Sequence, residues 1–144
     1  MIYLSKNFAL SEFMCPGVKE KELLEKLDSK LIAGLQRLRE MAGVPIKITS
    51  GYRTKKYNKK VNGSETSLHM EGKAADIIIQ GLSPKEMYNL AEQVEIFKEG
   101  GIGRYPRHIH VDTGPKRRWI VGTGKYREEL KPAPDATTQT PDHL

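Results

Sequence analysis

Three observations predict a single globular domain that mixes helices with short strands. Leu24, Leu27, Leu31, Leu35 and Leu38 recur at helical spacing with charged residues between them. Val44-Pro45-Ile46-Lys47-Ile48-Thr49 alternates and is rich in β-branched side chains, the pattern of a half-buried strand. Pairs such as Pro16-Gly17 and Gly100-Gly101 divide the chain into short segments without internal repeats. With 144 residues, 38% hydrophobic and 29% charged, the chain is long enough to bury its own core and has an ordinary globular composition.

In chain order, Leu10-Ser11-Glu12-Phe13-Met14 reads as a short helix capped by Ser11 and stopped by Pro16-Gly17. The leucine series predicts an amphipathic helix over about 21–42, its leucines in the core and its end closed by Gly43. The strand over 44–49 runs into a turn at Ser50-Gly51, and 74–80 reads as a second strand. Ser83-Pro84-Lys85-Glu86 combines a capping serine, a proline in the first helical position and a glutamate at the third. Met87, Leu90, Ala91, Val94 and Phe97 then supply the buried face of a helix ending at Gly100-Gly101. Residues 127–144 lack apolar periodicity and are expected to form a flexible tail on a domain of residues 1–126. The single cysteine, Cys15, excludes an internal disulfide and reads as a small buried hydrophobe.

The net charge of +6 favours an anionic partner or surface without naming one. Lys55-Lys56, Lys59-Lys60 and Lys116-Arg117-Arg118 are short clusters without aromatic interleaving or a glycine-rich phosphate loop, so they read as solvated surface and no nucleic-acid partner is expected. No apolar run approaches the roughly 20 residues of a membrane-spanning helix, and no membrane insertion is expected. The opening Met1 to Asn7 lacks a basic segment followed by an apolar stretch, so the expectation is cytoplasmic synthesis without a signal peptide.

The chemistry-bearing residues fall in two stretches. Ser67-Leu68-His69-Met70-Glu71-Gly72-Lys73-Ala74-Ala75-Asp76 sets a His and an Asp around a glycine turn, just before Ile77-Ile78-Ile79. In His108-Ile109-His110-Val111-Asp112, strand alternation puts His108, His110 and Asp112 on one face and Ile109 and Val111 on the other. Three of the four histidines lie in these stretches. Zinc is commonly held by His nitrogen and Asp oxygen, with three protein ligands in a catalytic site, and His69, Asp76 and His110 meet that requirement. Spacing leaves a second reading open, in which His69 caps a turn, Asp76 caps a strand end, and His108 and His110 lie on a solvated face.

Four blocks in order carry a resemblance: Ser50-Gly51-Tyr52-Arg53-Thr54, Ser67-x-His69-x-x-Gly72-x-Ala74-x-Asp76, Gly100-Gly101-Ile102-Gly103, and His110-Val111-Asp112. Together they resemble the zinc D-Ala-D-Ala carboxypeptidase family and its phage endolysin relatives. The resemblance covers roughly residues 4–119, including an opening similar to the family's Leu-Ser-x-Asn-Phe-x-Leu-Ser-Glu-Phe. It implies the small single-domain α+β fold shared with the Hedgehog signalling domain, an antiparallel sheet with packed helices. It also implies Zn2+ held by His69, Asp76 and His110, and a monomer that meets peptidoglycan peptides at the cell wall after release from the cytoplasm, as endolysins do.

Peptide hydrolysis in this family analogy needs a base and an anion-stabilising group. His108 resembles the first histidine of the superfamily's His-x-His pair and is the candidate base. Some relatives instead carry a carboxylate three residues before the metal histidine, where this chain has Arg107. Arg53 offers planar donors suited to an oxyanion or a terminal carboxylate, against the plainer reading of a surface ion pair. Ser67 is expected to hydrogen-bond within the metal loop, and Asp112 to orient a neighbour as carboxylates near ligating histidines commonly do. Tyr52, Tyr105 and Trp119 read as packing or cleft wall. The implied activity is cleavage of stem or cross-link peptides, by carboxypeptidase or endopeptidase action, with endopeptidase expected because lytic release requires cutting cross-links. The alternative is a catalytically inactive, zinc-stabilised wall-binding module.

Overall fold

Alternation along two central strands divides the sheet into an apolar face and a polar one. The computed structural model describes residues 1–122. At the N-terminus β1 (Tyr3–Ser5) and β2 (Phe8–Ala9) pair antiparallel, followed by a 3-10 turn over Leu10–Phe13. Two helices follow, α1 (Glu20–Lys26) and α2 (Ser29–Ala42), then β3 (Ile46–Ser50) and α3 (Lys55–Lys60). A second 3-10 turn, Leu68–Glu71, leads into β4 (Ala74–Ile79), α4 (Pro84–Ala91) and α5 (Glu95–Lys98). The chain then returns through β5 (Gly101–Arg104), β6 (Ile109–Asp112) and β7 (Arg117–Ile120).

The main sheet has the order β3-β4-β6-β5-β7. Its first three pairings are antiparallel and the last, β5 with β7, is parallel, so the α+β class holds while the sheet is mixed at one edge. Ala75, Ile77 and Ile79 of β4, Ile102 of β5, and Ile109 and Val111 of β6 enter one core with Leu31, Leu35 and Leu38 of α2 and Met87 and Ala91 of α4. Each fully buried Leu, Ile, Val or Met among them contributes about 1.5–3 kcal/mol of burial energy. The helices occupy this face, α2 against β4 and α4 against β4, β5 and β6. The opposite face is left for other residues.

Several local expectations are corrected. The predicted helix over 21–42 is two helices, because Asp28 leaves helical geometry and its carboxylate accepts the Lys30 amide at 3.0 Å, starting α2 afresh. The break turns Leu24 out to solvent, 46% exposed, so it is not core. Gly43 does close α2, at φ 69°. The first short helix is capped at Ala9 rather than Ser11, with Glu12 reaching back to the Ala9 amide at 2.7 Å. The Ser83 and Glu86 capping box forms in both directions, but its helix ends at Ala91 and α5 restarts after Val94. Cys15 is half-buried against the core rather than fully buried.

The basic clusters separate into two kinds. Lys55, Lys56, Lys59 and Lys60 are exposed as expected. Arg118, read as solvated, is buried and spans the end of α5, donating to the carbonyls of Lys98 and Gly100 and pairing with Glu92. The predicted tail, 127–144, lies outside the described residues. Among the described residues, no helix is long and apolar enough to cross a membrane.

Candidate metal centre

The register of β4 with β6 builds the site on the polar face of the sheet. Asp76 pairs with His110 and Ala74 with Asp112, so the alternation that sends Ile77 and Val111 to the core leaves Asp76, His110 and Asp112 on the other side. His69 arrives from the 3-10 turn between α3 and β4. Ser67 starts that turn by accepting the His69 amide at 3.2 Å. Gly72 ends it at φ 70°, where a side chain is disfavoured and a Cβ would collide with the Lys26 carbonyl.

His69, Asp76 and His110 are all buried, and each offers a ligand atom within 4.8 Å of the others. His69 Nε2 lies 3.4 Å and His110 Nδ1 3.2 Å from Asp76 Oδ1. The far ring nitrogens are committed elsewhere: His69 Nδ1–H donates to the Gly51 carbonyl at 2.8 Å, and His110 Nε2–H donates to Asp112 Oδ2 at 2.7 Å. Those bonds turn the remaining ring nitrogens, His69 Nε2 and His110 Nδ1, toward Asp76. His69 Nε2 and Asp76 Oδ2 have no hydrogen-bond partner among the described residues. Leaving such groups buried is costly, and a cation at their centre relieves it. Two imidazole nitrogens and one carboxylate are a donor set that fits a divalent metal.

Asp112 anchors this arrangement. Its Oδ1 accepts from the amides of Gly101 and Gly114, each at 2.9 Å, and its Oδ2 accepts from His110 and from Arg117 Nη2 at 3.1 Å. Gly101 has to be glycine, since a Cβ would collide with the Asp112 carboxylate. Burial alone would raise the Asp112 pKa, but the His110 hydrogen bond and charge, with Arg117, bring it down to about 2. Burial would likewise lower His110, yet hydrogen bonds to Asp112 and Asp76 push it up to about 10. For Asp76 burial acts upward, and the charge of His69 with the hydrogen bond from His110 holds it far below the ordinary carboxylate range.

His108 lies in the turn before β6 rather than in the strand, and its carbonyl accepts the Tyr105 amide at 3.0 Å. Its ring stacks on Tyr105, 4.3 Å between centroids and 17° between planes. It is 5% exposed and its Nε2 has no hydrogen-bond partner among the described residues. Burial holds its pKa below the ordinary value, partly offset by the charge of Asp76. With His108 and His110 both buried, the solvated-face reading is overturned. Trp119 is buried 4.9 Å from the His110 ring and donates to the Tyr105 hydroxyl at 3.1 Å, so both aromatics wall the site. Tyr52 turns away, its hydroxyl on Glu22 of α1 at 3.1 Å. Arg107 is exposed.

Arg53 is fully buried, which excludes a surface ion pair. Its Nη2 lies 3.5 Å from Asp76 Oδ2 and makes no hydrogen bond among the described residues. The other donors are held by two residues that sequence reasoning missed. Nε donates to Ser50 Oγ at 3.2 Å, and Nη1 donates to Asn58 Oδ1 at 3.1 Å. Ser50 is aimed there by a bulge in β3, where pairing jumps from Ile48 opposite Ile77 to Ser50 opposite Asp76. Asn58 sits on α3 five residues after Arg53 and is buried among exposed lysines.

The model of the Peptidase M15 family matches residues 6–112. Peptidoglycan L,D-endopeptidase MepK of Escherichia coli (strain K12) is 31% identical over 105 residues, 67% of this chain and 56% of the relative. A probable peptidoglycan L,D-endopeptidase MepK of Haemophilus influenzae is 29% identical over 136 residues, 81% of this chain and 72% of the relative. The chain thus spans little more than half the length of the Escherichia coli relative it matches. The matched span contains Arg53, Ser67, His69, Asp76, His108, His110 and Asp112. By that match, the chain belongs to the Peptidase M15 family.

Proposed function

We propose that this chain is a zinc-dependent peptidase that hydrolyses peptide bonds of peptidoglycan, acting as an endopeptidase at the cell wall. The observation that carries the reading is the set of buried polar atoms without hydrogen-bond partners that converge on Asp76: His69 Nε2, Asp76 Oδ2 and Arg53 Nη2. The peptidoglycan L,D-endopeptidase activity by which the MepK relatives are named supports both the substrate class and the endopeptidase side. In this reading His69, Asp76 and His110 hold Zn2+, Asp112 orients His110, and Ser67 steadies the turn that carries His69. When bound, the ion supplies Lewis acidity, polarising a carbonyl and acidifying water. Arg53, fixed through Nε and Nη1, keeps Nη2 for negative charge that develops on the substrate. His108, kept neutral by burial, accepts and returns the proton. A wall-binding module would need neither Arg53 nor His108.

Ligand variants test this directly. His69→Ala and His110→Ala should each lose both bound zinc and cleavage of muropeptides, measured by elemental analysis and product mass. His108→Ala should keep zinc yet lose on the order of 10²- to 10⁴-fold in turnover. Full zinc retention in both ligand variants contradicts the metal assignment, and unchanged turnover in His108→Ala removes it as the base.

A further inference from the structure

A groove of about 740 Å³ runs along α3, lined by Lys55, Asn58, Lys59, Asn62, Glu65 and Met70. It adjoins the candidate metal centre at two points: Asn58 receives Arg53 Nη1, and Met70 directly follows His69. Lys55 and Lys59 stand one helical turn apart on the same side of α3, so their ammonium groups face the same space. Neither has an ion-pair partner among the described residues. Glu65 is the one carboxylate among the six residues named, which leaves the groove net positive.

From this arrangement we infer that the α3 groove is a subsite for a free carboxylate of the substrate peptide, held by Lys55 and Lys59 while the scissile bond lies at Asp76 and Arg53. The inference rests on the peptidase reading above and adds what selects the substrate. A peptide crossing the site places its neighbouring residues over α3, and an acidic side chain there meets two unpaired cations, with Met70 offering apolar contact for its stem. Amidating that carboxylate removes the charge and keeps the shape, so it isolates the lysines' contribution. Two exposed ion pairs are worth about a three- to tenfold preference, and salt screens them.

The test is a ¹⁵N chemical-shift titration of the full chain with two non-hydrolysable stem peptides, one with its acidic side chain free and one with it amidated. The free acid should bind about three- to tenfold tighter, shift the amides of residues 55–65, and lose its advantage as salt rises. Lys55→Glu combined with Lys59→Glu should abolish or invert the preference. The milder Lys55→Gln with Lys59→Gln should abolish it, and a thermal melt of each variant checks that α3 is intact. Equal binding of the two peptides by the unaltered chain, or a preference that survives both double variants, overturns the subsite. Cleavage of ordinary muropeptides is read separately. Charge-selective binding without cleavage contradicts the peptidase reading and leaves the groove, whereas cleavage with charge-blind binding contradicts the groove alone.

Discussion

Asn58 shows how one buried amide can set the aim of a buried guanidinium. Its Oδ1 takes Arg53 Nη1 while its Nδ2 donates to the Ser64 carbonyl at 2.9 Å, so the same residue ties Arg53 to the loop after α3. Asn58→Asp keeps the acceptor for Arg53 and loses the donor for Ser64, whereas Asn58→Leu loses both. If aiming Arg53 is the function, Asn58→Leu should lower kcat about 10- to 100-fold with zinc content unchanged, and Asn58→Asp should restore most of it, read by steady-state kinetics and metal analysis. His110 gives a second expectation at this scale. Its folded pKa of about 10 lies above the ordinary 6.5, so in the metal-free chain its proton stabilises the fold below about pH 6.5 and that contribution disappears as pH rises toward 10. In the proposed metallopeptidase a metal would take the place of that proton. Uptake near neutral pH should release about one proton per ion, measured by calorimetry in buffers of different ionisation enthalpy, and affinity should weaken as pH falls. Strand alternation and donor type brought out His69, Asp76 and His110 as candidates while leaving a capping reading open, and the four motif blocks in order singled them out. Ser50 and Asn58 were hidden, since a serine at a strand end and an asparagine in a lysine run look like ordinary turn and surface residues.

At the scale of elements, the polar side chains at chain breaks decide where the site sits. Asp28 interrupts what the leucine spacing presents as one helix, and it does three things at once. Its carboxylate caps α2 and accepts Thr113 Oγ1 at 2.7 Å, while its amide donates to the Gly72 carbonyl at 2.9 Å. The start of α2 is thereby tied to the turn carrying His69 and to the segment after β6. Asp28→Ala should destabilise the fold by about 1–2 kcal/mol, and Asp28→Asn should recover part of it because an amide oxygen still caps, as checked by urea unfolding. Helix identity was legible from Leu31, Leu35 and Leu38, and the α4 start from Ser83 and Glu86, because periodicity and capping are local. The break at Asp28, the bulge before Ser50 and the parallel pairing of β7 were not legible, because each is fixed by partners 25 or more residues away or by a neighbouring strand.

Across the whole molecule, the sheet divides labour between its faces. Packing α2 and α4 on one side supplies the core, and the other side collects Arg53 after β3, His69 from the turn before β4, Asp76 from β4 and His110 from β6. Four chain segments therefore meet at Asp76, where burial makes any unpaired polar atom costly and electrostatic interactions strong. Trp119, Tyr105 and Arg117 close the rim, with the Arg117 guanidinium 4.6 Å over the Trp119 ring. This division explains how a chain of 144 residues holds both a continuous core and a buried polar site. The most direct test is mass analysis of defined muropeptides incubated with the purified chain as isolated, after chelation, and after zinc is restored. Internal peptide-bond cleavage that chelation abolishes and zinc returns is the expected result. Cleavage indifferent to the chelator, or intact muropeptides in the presence of a zinc-loaded chain, would contradict it.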